Sequence, residues 1–299
     1  MATGHNTLTT HTALVPESFT LDLIKAVRFE MVAPKTVTQK TDWNKKMGQV
    51  IHQPRTVNWE SATKVPGTDM SFNTYQMPED ELLYIDRFGV AGMSTETFAS
   101  MFVDESVFKD HLVSMAYALN RDVETTIFNE FQSFSAQPTG SAYNTEVTWE
   151  MLTEANEFLQ LGGINVDSGH VTLMISIQQE SVFKRDTMFM DSNLAATVGN
   201  DNLTKSTLAQ KRITGANVVK SPLLRNPAAG GHDMAMYHKK AITLCYASKP
   251  QYVEEVRVAP LAKQCAYYQA YGIKRSYQAD EAPGSLTLND DWAVWIPGV

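Results

Sequence analysis

The residues that come nearest to a metal-binding pattern are His232, Asp233 and His238, which follow a glycine-containing turn. Imidazole and carboxylate groups are ordinary ligands of transition metals. These three form a single local cluster, and no second group of ligands stands at a fixed spacing from it. We therefore expect no metal site and interpret these residues as surface histidines on a glycine loop.

Cys265, with Lys263 nearby, is the candidate for an activated thiol, because a neighbouring cation lowers the pKa of a cysteine. No histidine is placed by the sequence to act as its base. We interpret Cys265 as a half-buried structural residue. The only other cysteine is Cys245, and neither belongs to a CxxC pair, which is typical of a protein from a reducing compartment.

The sequence also lacks the motifs of several common enzyme classes. It contains neither GxxxxGK[ST] nor GxGxxG, so the usual backbone cradle for phosphate groups is missing. It contains no GxSxG nucleophile turn and no HExxH zinc motif. We expect no catalytic residue, no cofactor and no metal, although a cytoplasmic enzyme with an unrecognised site remains an alternative.

The charge balance argues against a dedicated nucleic-acid binder. The chain of 299 residues has a formal net charge of -8 and a pI near 5.4, whereas such binders are usually basic. Residues 1–50 are mildly cationic, which fits either a solvated helix face or a segment close to a polyanion. No apolar run approaches the length of a membrane span, and the N-terminus lacks the pattern of a signal peptide. We expect no membrane partner and a cytoplasmic site of assembly.

The clearest pattern of secondary structure in the sequence is one long helix. Residues 93–137 contain no glycine or proline, and apolar residues recur every three or four positions over residues 106–134. A helix of that length is roughly 43 Å long, well above the globular average. The predicted apolar stripe consists of Phe108, Leu112, Met115, Leu119, Val123, Ile127, Phe131 and Phe134.

Residues 48–92 predict a long β-hairpin with a wide polar tip. Short apolar runs at 50–57 and 82–90 flank a middle that is rich in proline, glycine and other turn residues. A connection this long inside a compact domain is usually shaped by a partner or disordered. Aromatic and thioether side chains in the tip either pack on a partner or fold back on their own domain. The contact candidates are Trp59, Lys64, Phe72, Tyr75 and Met77.

The rest of the chain mixes helices and strands without a repeating βαβ unit, which predicts an α+β fold. The predicted helices begin near Pro16, after Thr148 and at Gln178, and the first is expected to end at Pro34. Residues 35–47 are interpreted as a connecting arm without its own apolar stripe. Residues 226–233 are predicted to form a turn, with Pro250 as a strand break. The predicted strands are 171–177, 213–219, 241–247, 252–258, 265–276 and 291–296.

This order of elements resembles the major capsid proteins of tailed phages, the family with the Hong-Kong-97-type fold. The resemblance extends over nearly the whole chain, although each motif is degenerate and only their order is specific. The similar segments are, in order, Val15-Pro16-Glu17-Ser18-Phe19, Gly48-Gln49-Val50-Ile51 followed by Pro54, Leu83-Tyr84-Ile85-Asp86, residues 116–122 with Ile127-Phe128, Ile213-Thr214-Gly215-Ala216-Asn217-Val218-Val219 with Ser221-Pro222, and Tyr271-Gly272-Ile273.

The resemblance implies a definite organisation. Residues 1–47 would form an N-terminal arm and 48–92 an extended loop lying over a neighbouring subunit. Residues 93–147 and 236–272 would form a peripheral domain containing the spine helix, and 148–235 and 273–299 an axial domain. The family assembles hexamers and pentamers into an icosahedral virion shell around double-stranded DNA, so the implied partners are further copies of this chain and weakly bound packaged DNA. A separate scaffolding protein, a portal and decoration proteins are further implied partners.

An encapsulin-like compartment is the alternative with the same fold, and it encloses cargo enzymes instead of a genome. Some relatives in the capsid family join subunits by a lysine to asparagine bond. Lys64 is the lysine near the loop tip, but the sequence identifies neither an acceptor nor a catalytic acid, so no cross-link is predicted.

Overall fold

The structure is a computed structural model. It describes residues 31–40, 50–53, 63–64, 66–67, 81–96, 105–143, 145–183, 212–226, 231–257, 262–276, 278–279, 288–289 and 291–298. Its helices are α1 (Ala33–Thr36), α2 (Glu105–Phe131), α3 (Trp149–Leu161) and α4 (Ile177–Phe183), with short 3₁₀ helices at Val166–Ser168 and Lys239–Ala241. Its strands are β1 (Thr38–Lys40), β2 (Val50–Gln53), β3 (Glu81–Tyr84), β4 (Arg87–Glu96), β5 (Val171–Ser176), β6 (Arg212–Ile213), β7 (Ala216–Ser221), β8 (Arg225–Asn226), β9 (Gly231–His238), β10 (Ile242–Arg257), β11 (Ala262–Arg275), β12 (Gln278–Ala279), β13 (Leu288–Asn289) and β14 (Ala293–Gly298).

The chain is a mixed α+β protein that divides into two compact units. The described part of the smaller unit comprises residues 88–96, 105–120, 249–257 and 262–269, whereas the larger unit contains the described residues of 31–87, 121–248 and 270–299. The backbone of α2, β10 and β11 runs through both units. No helix within the described ranges is long and apolar enough to cross a membrane.

The larger unit is built on a six-stranded sheet with the order β14-β9-β5-β7-β6, in which β8 also pairs with β9. The central strand β5 runs parallel to β7 and antiparallel to β9. Every residue of β5 is buried, as the continuous apolar run at 171–177 predicted. The sheet is therefore covered on both faces.

Alternation along β5 sends neighbouring side chains into two different cores. Leu173 and Ile175 pack with α3, whereas Met174 packs with α1 and the C-terminal half of α2. At β5, the six-stranded sheet thus has helices packed on both of its faces.

The long helix and its apolar stripe are confirmed over the second half of α2. Leu119, Val123, Ile127 and Phe131 are all buried, and Phe134 is buried just beyond the end of the helix. The ring of Phe131 lies 5.3 Å from that of Tyr237 in β9, measured between centroids. From Val123 onward, the stripe therefore packs α2 against the sheet of the larger unit through aromatic and aliphatic contacts.

The helix predicted after Thr148 is also confirmed. The Thr148 hydroxyl accepts a hydrogen bond from the amide of Met151 at 3.4 Å, and α3 ends at Leu161, before Gly162. The helix buries Met151, Leu152, Ala155 and Leu159, whereas Phe158 is partly exposed.

Residues 35–47 were interpreted as a connecting arm without its own apolar stripe, and up to Lys40 this segment contains the end of a short helix and a strand. Pro34 does not end a helix but lies in the first turn of α1, where its missing amide hydrogen is tolerated. β1 then pairs in parallel with β10, with Thr38 opposite Thr243. Ala33 and Val37 are buried in the core beside α2. The predicted helix before Pro34 lies outside the described residues.

The single strand predicted at 213–219 is a hairpin instead. Thr214 and Gly215 have φ values of 49° and 86° and form a two-residue turn between β6 and β7. Two consecutive residues in the left-handed region reverse the chain tightly, and glycine adopts this conformation without strain. The predicted strand break at Pro250 is also wrong, because β10 continues through it.

β1 pairs with β10 only at residues 243–245, so beside Pro250 the described sheet has no strand on the β1 side of β10, and a proline is tolerated where no neighbouring strand requires its amide. The turn predicted for 226–233 is likewise too long. β9 already begins at Gly231, and residues 231–237 of this strand are buried. The C-terminal strand is confirmed as β14, which pairs antiparallel with β9.

Candidate subunit-contact surfaces

The proposed surface histidines are not together on a surface loop. His232 and Asp233 are buried in β9, and His238 lies at the opposite end of the same strand. The imidazole of His232 contacts the carbonyl oxygen of Leu224 and the side-chain oxygen of Gln178. No cluster of three ligand residues suited to a metal occurs among the described residues.

Asp233 is a buried acceptor for three donors. Its Oδ1 accepts hydrogen bonds from the Tyr143 hydroxyl at 2.5 Å and from Trp295 Nε1 at 3.1 Å, and its Oδ2 accepts one from Gln132 Nε2 at 3.0 Å. Donors from a helix end, a loop and a strand satisfy this carboxylate, as burial of a charged group requires. Asp233 thus has a structural role, connecting three segments of the larger unit.

Cys265 is also structural, and it is more deeply buried than the half-buried state predicted from the sequence. Burial raises the pKa of its thiol, with the charge of Glu254 acting in the same direction. Its thiol is therefore the poorly reactive, protonated form at neutral pH.

The base of the predicted extended loop is the antiparallel pair of β2 and β3, in which Ile51 lies opposite Leu83. These two side chains pack with the buried Cys245. Lys274 donates a hydrogen bond to the carbonyl oxygen of Leu82 at 2.6 Å. The base of the loop is therefore fastened to the larger unit.

Of the contact candidates in the loop, Lys64 is exposed in an irregular segment two residues before the turn at 66–67. The other four lie outside the described residues, so their role stays a prediction. They are Trp59, Phe72, Tyr75 and Met77.

A second surface that suits a subunit contact is the outward side of the sheet in the smaller unit. Alternation in β4 places Phe88 and Val90 on one side, where they are 66% and 57% exposed. Between them, Gly89 faces the opposite side, where a Cβ would lie 3.2 Å from the Leu119 side chain of α2. The helix therefore covers only the Gly89 side of β4.

The next two strands of the sheet, β11 and then β10, extend this exposed side. The ring of Tyr268 in β11 lies 5.8 Å from that of Phe88, and its hydroxyl donates to Gln251 of β10 at 2.6 Å. Val253 lies two residues after Gln251, hence on the same side, and is 48% exposed. We call Phe88, Val90, Val253 and Tyr268 the apolar face.

The sequence reasoning missed the apolar face, although a signal for it is present. Residues 88–91 alternate large and small side chains, with Phe88 and Val90 separated by Gly89 and followed by Ala91. Large side chains alternating with small ones indicate a strand packed closely on one side only. The pattern does not show which side is covered.

A buried carboxylate fixes the start of α1. Glu124 of α2 is fully buried, and its Oε2 accepts the Val32 amide at 2.8 Å, while its Oε1 accepts the Ser221 hydroxyl at 2.6 Å. Burial raises the pKa of Glu124, and the hydrogen bonds from Ser221, Val32 and Ala33 oppose that rise. Glu124 thereby accepts hydrogen bonds from the amides at the start of α1, where α1 has no side-chain cap of its own.

The architecture matches solved capsid structures along nearly its full length. The subunit in the capsid structure of the cyanophage P-SCSP1u has a TM-score of 0.73 and 12% identity, covering 96% of this chain and 94% of that one. A Mycobacterium phage Che8 chain has a TM-score of 0.71 and 14% identity, covering 94% and 96%. A chain of the mature capsid of bacteriophage PhiM1 has a TM-score of 0.68 and 10% identity, covering 95% of this chain and 92% of that one.

This chain has the fold of phage capsid subunits. No protein-family profile matches its sequence. No curated protein sequence is significantly similar to it either. At such low identities the likeness concerns the path of the backbone and not the role of any individual residue.

Proposed function

We propose that this protein is a major capsid protein of a tailed phage, which assembles as hexamers and pentamers into an icosahedral shell around double-stranded DNA. The single observation that carries the proposal is the full-length likeness to capsid subunits, with more than nine-tenths of each chain covered.

The proposal assigns the parts of the chain to the roles expected for the Hong-Kong-97-type fold. Residues 48–92 serve as the extended loop, fastened at its base by β2 and β3. Residues 93–147 and 236–272 serve as the peripheral domain, with α2 as its spine helix. Residues 148–235 and 273–299 serve as the axial domain, and 1–47 as the N-terminal arm.

Within the shell, the apolar face is one half of a contact between two copies of the chain. Phe88, Val90 and Val253 together expose more apolar surface than scattered single residues do. The aromatic tip of a neighbouring subunit's extended loop, with Trp59 and Tyr75, supplies the other half. Burial of aromatic side chains in such a contact is a large source of affinity between proteins.

Closure into a shell permits each individual contact to be modest. Every subunit contributes the same surfaces, and a closed symmetric assembly engages all of them at once. The phage head as the site of the mature protein, and the host cytoplasm as the site of assembly, follow from this proposal. Scaffolding, portal and decoration proteins are further proposed partners.

The test is electron microscopy of the full chain expressed on its own and together with the other products of its genome. We expect closed shells tens of nanometres across, and nuclease-protected DNA in the particles formed with those products. Shells that instead enclose a protein cargo would establish the encapsulin-like alternative. A chain that stays a small soluble species under all assembly conditions would contradict both and favour the enzyme alternative.

A further inference from the structure

A group of lysine and histidine side chains lies at one end of the six-stranded sheet, where β5 begins and β9 ends. His170 and His238 stand there with ring centroids 6.1 Å apart. Lys239 and Lys240 follow in an exposed 3₁₀ helix, and the Lys239 amide donates to the His170 carbonyl at 2.9 Å. This hydrogen bond fixes the two lysines beside the two histidines.

Lys40 extends the group along β1. The Thr38 hydroxyl donates to the carbonyl oxygen of Lys239 at 2.9 Å, which places the start of β1 against the 3₁₀ helix. Side chains two residues apart in a strand point to the same side, so Lys40 lies on the side of Thr38, roughly 7 Å further along. We call Lys40, Lys239, Lys240, His170 and His238 the cationic cluster.

The cationic cluster is not neutralised from within the described part of the chain. Lys40, Lys239 and Lys240 form no ion pair with a carboxylate there. Burial, and after it the charges of Lys240 and His170, lower the pKa of His238, and no carboxylate opposes them. A local excess of positive charge is unusual in a protein whose formal net charge is -8.

We propose that the cationic cluster binds the phosphate backbone of double-stranded DNA. The lysines supply point charges, and His170 adds a hydrogen-bond donor. The cluster contains no arginine fork for bidentate contact with bases, so the contact is with phosphates and does not depend on base sequence.

The choice of DNA over an acidic polypeptide rests on the proposed function, since the packaged genome is a phosphate polymer present at high density beside many subunits. Three lysine contacts are few. Each one releases about one condensed counterion, so the binding is weak and falls steeply with salt. Weak contact permits the genome to be held in the shell and still released.

The experiment measures binding of a short double-stranded DNA to the full chain, kept as soluble unassembled subunits, over a series of salt concentrations. The test variant is Lys40→Gln/Lys239→Gln/Lys240→Gln. The slope of log K against log salt is expected to become shallower by about 2 to 3. Between about 50 and 200 mM salt, the three contacts account for a roughly 40-fold change in affinity.

A matched pair of single variants separates this site from net charge alone. Lys240→Gln is expected to lower the slope by about 0.9, whereas Lys249→Gln, which removes an exposed lysine from β10, leaves it unchanged. An unaltered slope in the triple variant, or an equal fall in the Lys249 variant, would overturn the proposal. Tighter, cluster-dependent binding of poly-glutamate than of DNA would overturn the assignment of the partner.

The outcome is independent of shell formation. Wild-type chain that forms no shells but binds DNA through these lysines would refute the proposed function and support the cationic cluster as a phosphate site. If the triple variant forms shells normally and its DNA binding is unchanged, the proposed function is supported and the cationic cluster is refuted as a phosphate site.

Discussion

Replacement of Phe88 by serine tests the apolar face as a contact between copies. Full burial of a phenylalanine side chain stabilises by up to about 3 kcal/mol. Since 66% of Phe88 is exposed in the isolated chain, about 2 kcal/mol remains to be gained when a neighbour covers it. Loss of this contact free energy of about 2 kcal/mol raises the critical concentration for assembly by about 30-fold.

The same substitution has a smaller effect on the subunit itself. In the isolated chain Phe88 contacts the Tyr268 ring, and loss of that pair costs about 1 kcal/mol. The fully buried Ile127 is the contrasting site, because Ile127→Ala is expected to lower the free energy of unfolding by about 2 to 5 kcal/mol. Phe88→Leu is the matched control, as it keeps the face apolar and is expected to assemble at nearly the wild-type concentration.

The assay combines light scattering across a concentration series, which gives the critical concentration, with urea unfolding of the unassembled subunit. The reasoning would be refuted if Phe88→Ser assembled at the wild-type concentration. It would also be refuted if Phe88→Ser destabilised the subunit as much as Ile127→Ala does, because Phe88 would then belong to the core.

Three further predictions follow from other sites. Because burial raises the pKa of Glu124, the unfolded chain releases this proton first as pH rises. The contribution of Glu124 to stability is therefore fully present below the ordinary carboxyl pKa and is lost as pH rises through the raised one, so urea unfolding across pH is expected to show a flatter profile for Glu124→Gln. Leu119→Asp places an unpaired charge at a buried position and is expected to cost about 4 kcal/mol or more, whereas Leu119→Met stays folded by circular dichroism. Trp59→Ala and Tyr75→Ala are expected to leave the melting temperature of the subunit unchanged and to reduce shell yield in micrographs; an equal loss of both would place the loop tip in the subunit's own core.

Patterns confined to one element predicted the structure well. The stripe from Leu119 to Phe131 required only helical spacing, and Thr148 followed by an apolar face required only a local cap. Predictions failed where a distant partner was decisive. The helix Ala33–Thr36 has no side-chain cap of its own, and the acceptor for its amides is Glu124, which lies more than ninety positions away.

Burial of polar residues was equally hidden. His232 and Asp233 follow glycines and resemble a surface turn in the sequence, yet β9 carries them between β5 and β14. Their partners come from Gln178, Tyr143 and other separated positions, and no local pattern identifies these. Pro250 was misread for a related reason, because proline is excluded from a strand only where a neighbouring strand requires its amide.

The sequence by itself determined the alternation of helix and strand, the length of the central helix and the absence of common catalytic motifs, since these depend on residue type and spacing along one chain. Only the tertiary structure decided which side of β4 is covered and which lysines stand together. Both depend on contacts between segments far apart in the chain, such as Gly89 with Leu119 and Thr38 with Lys239. The two surfaces proposed to bind partners are therefore properties of the folded chain.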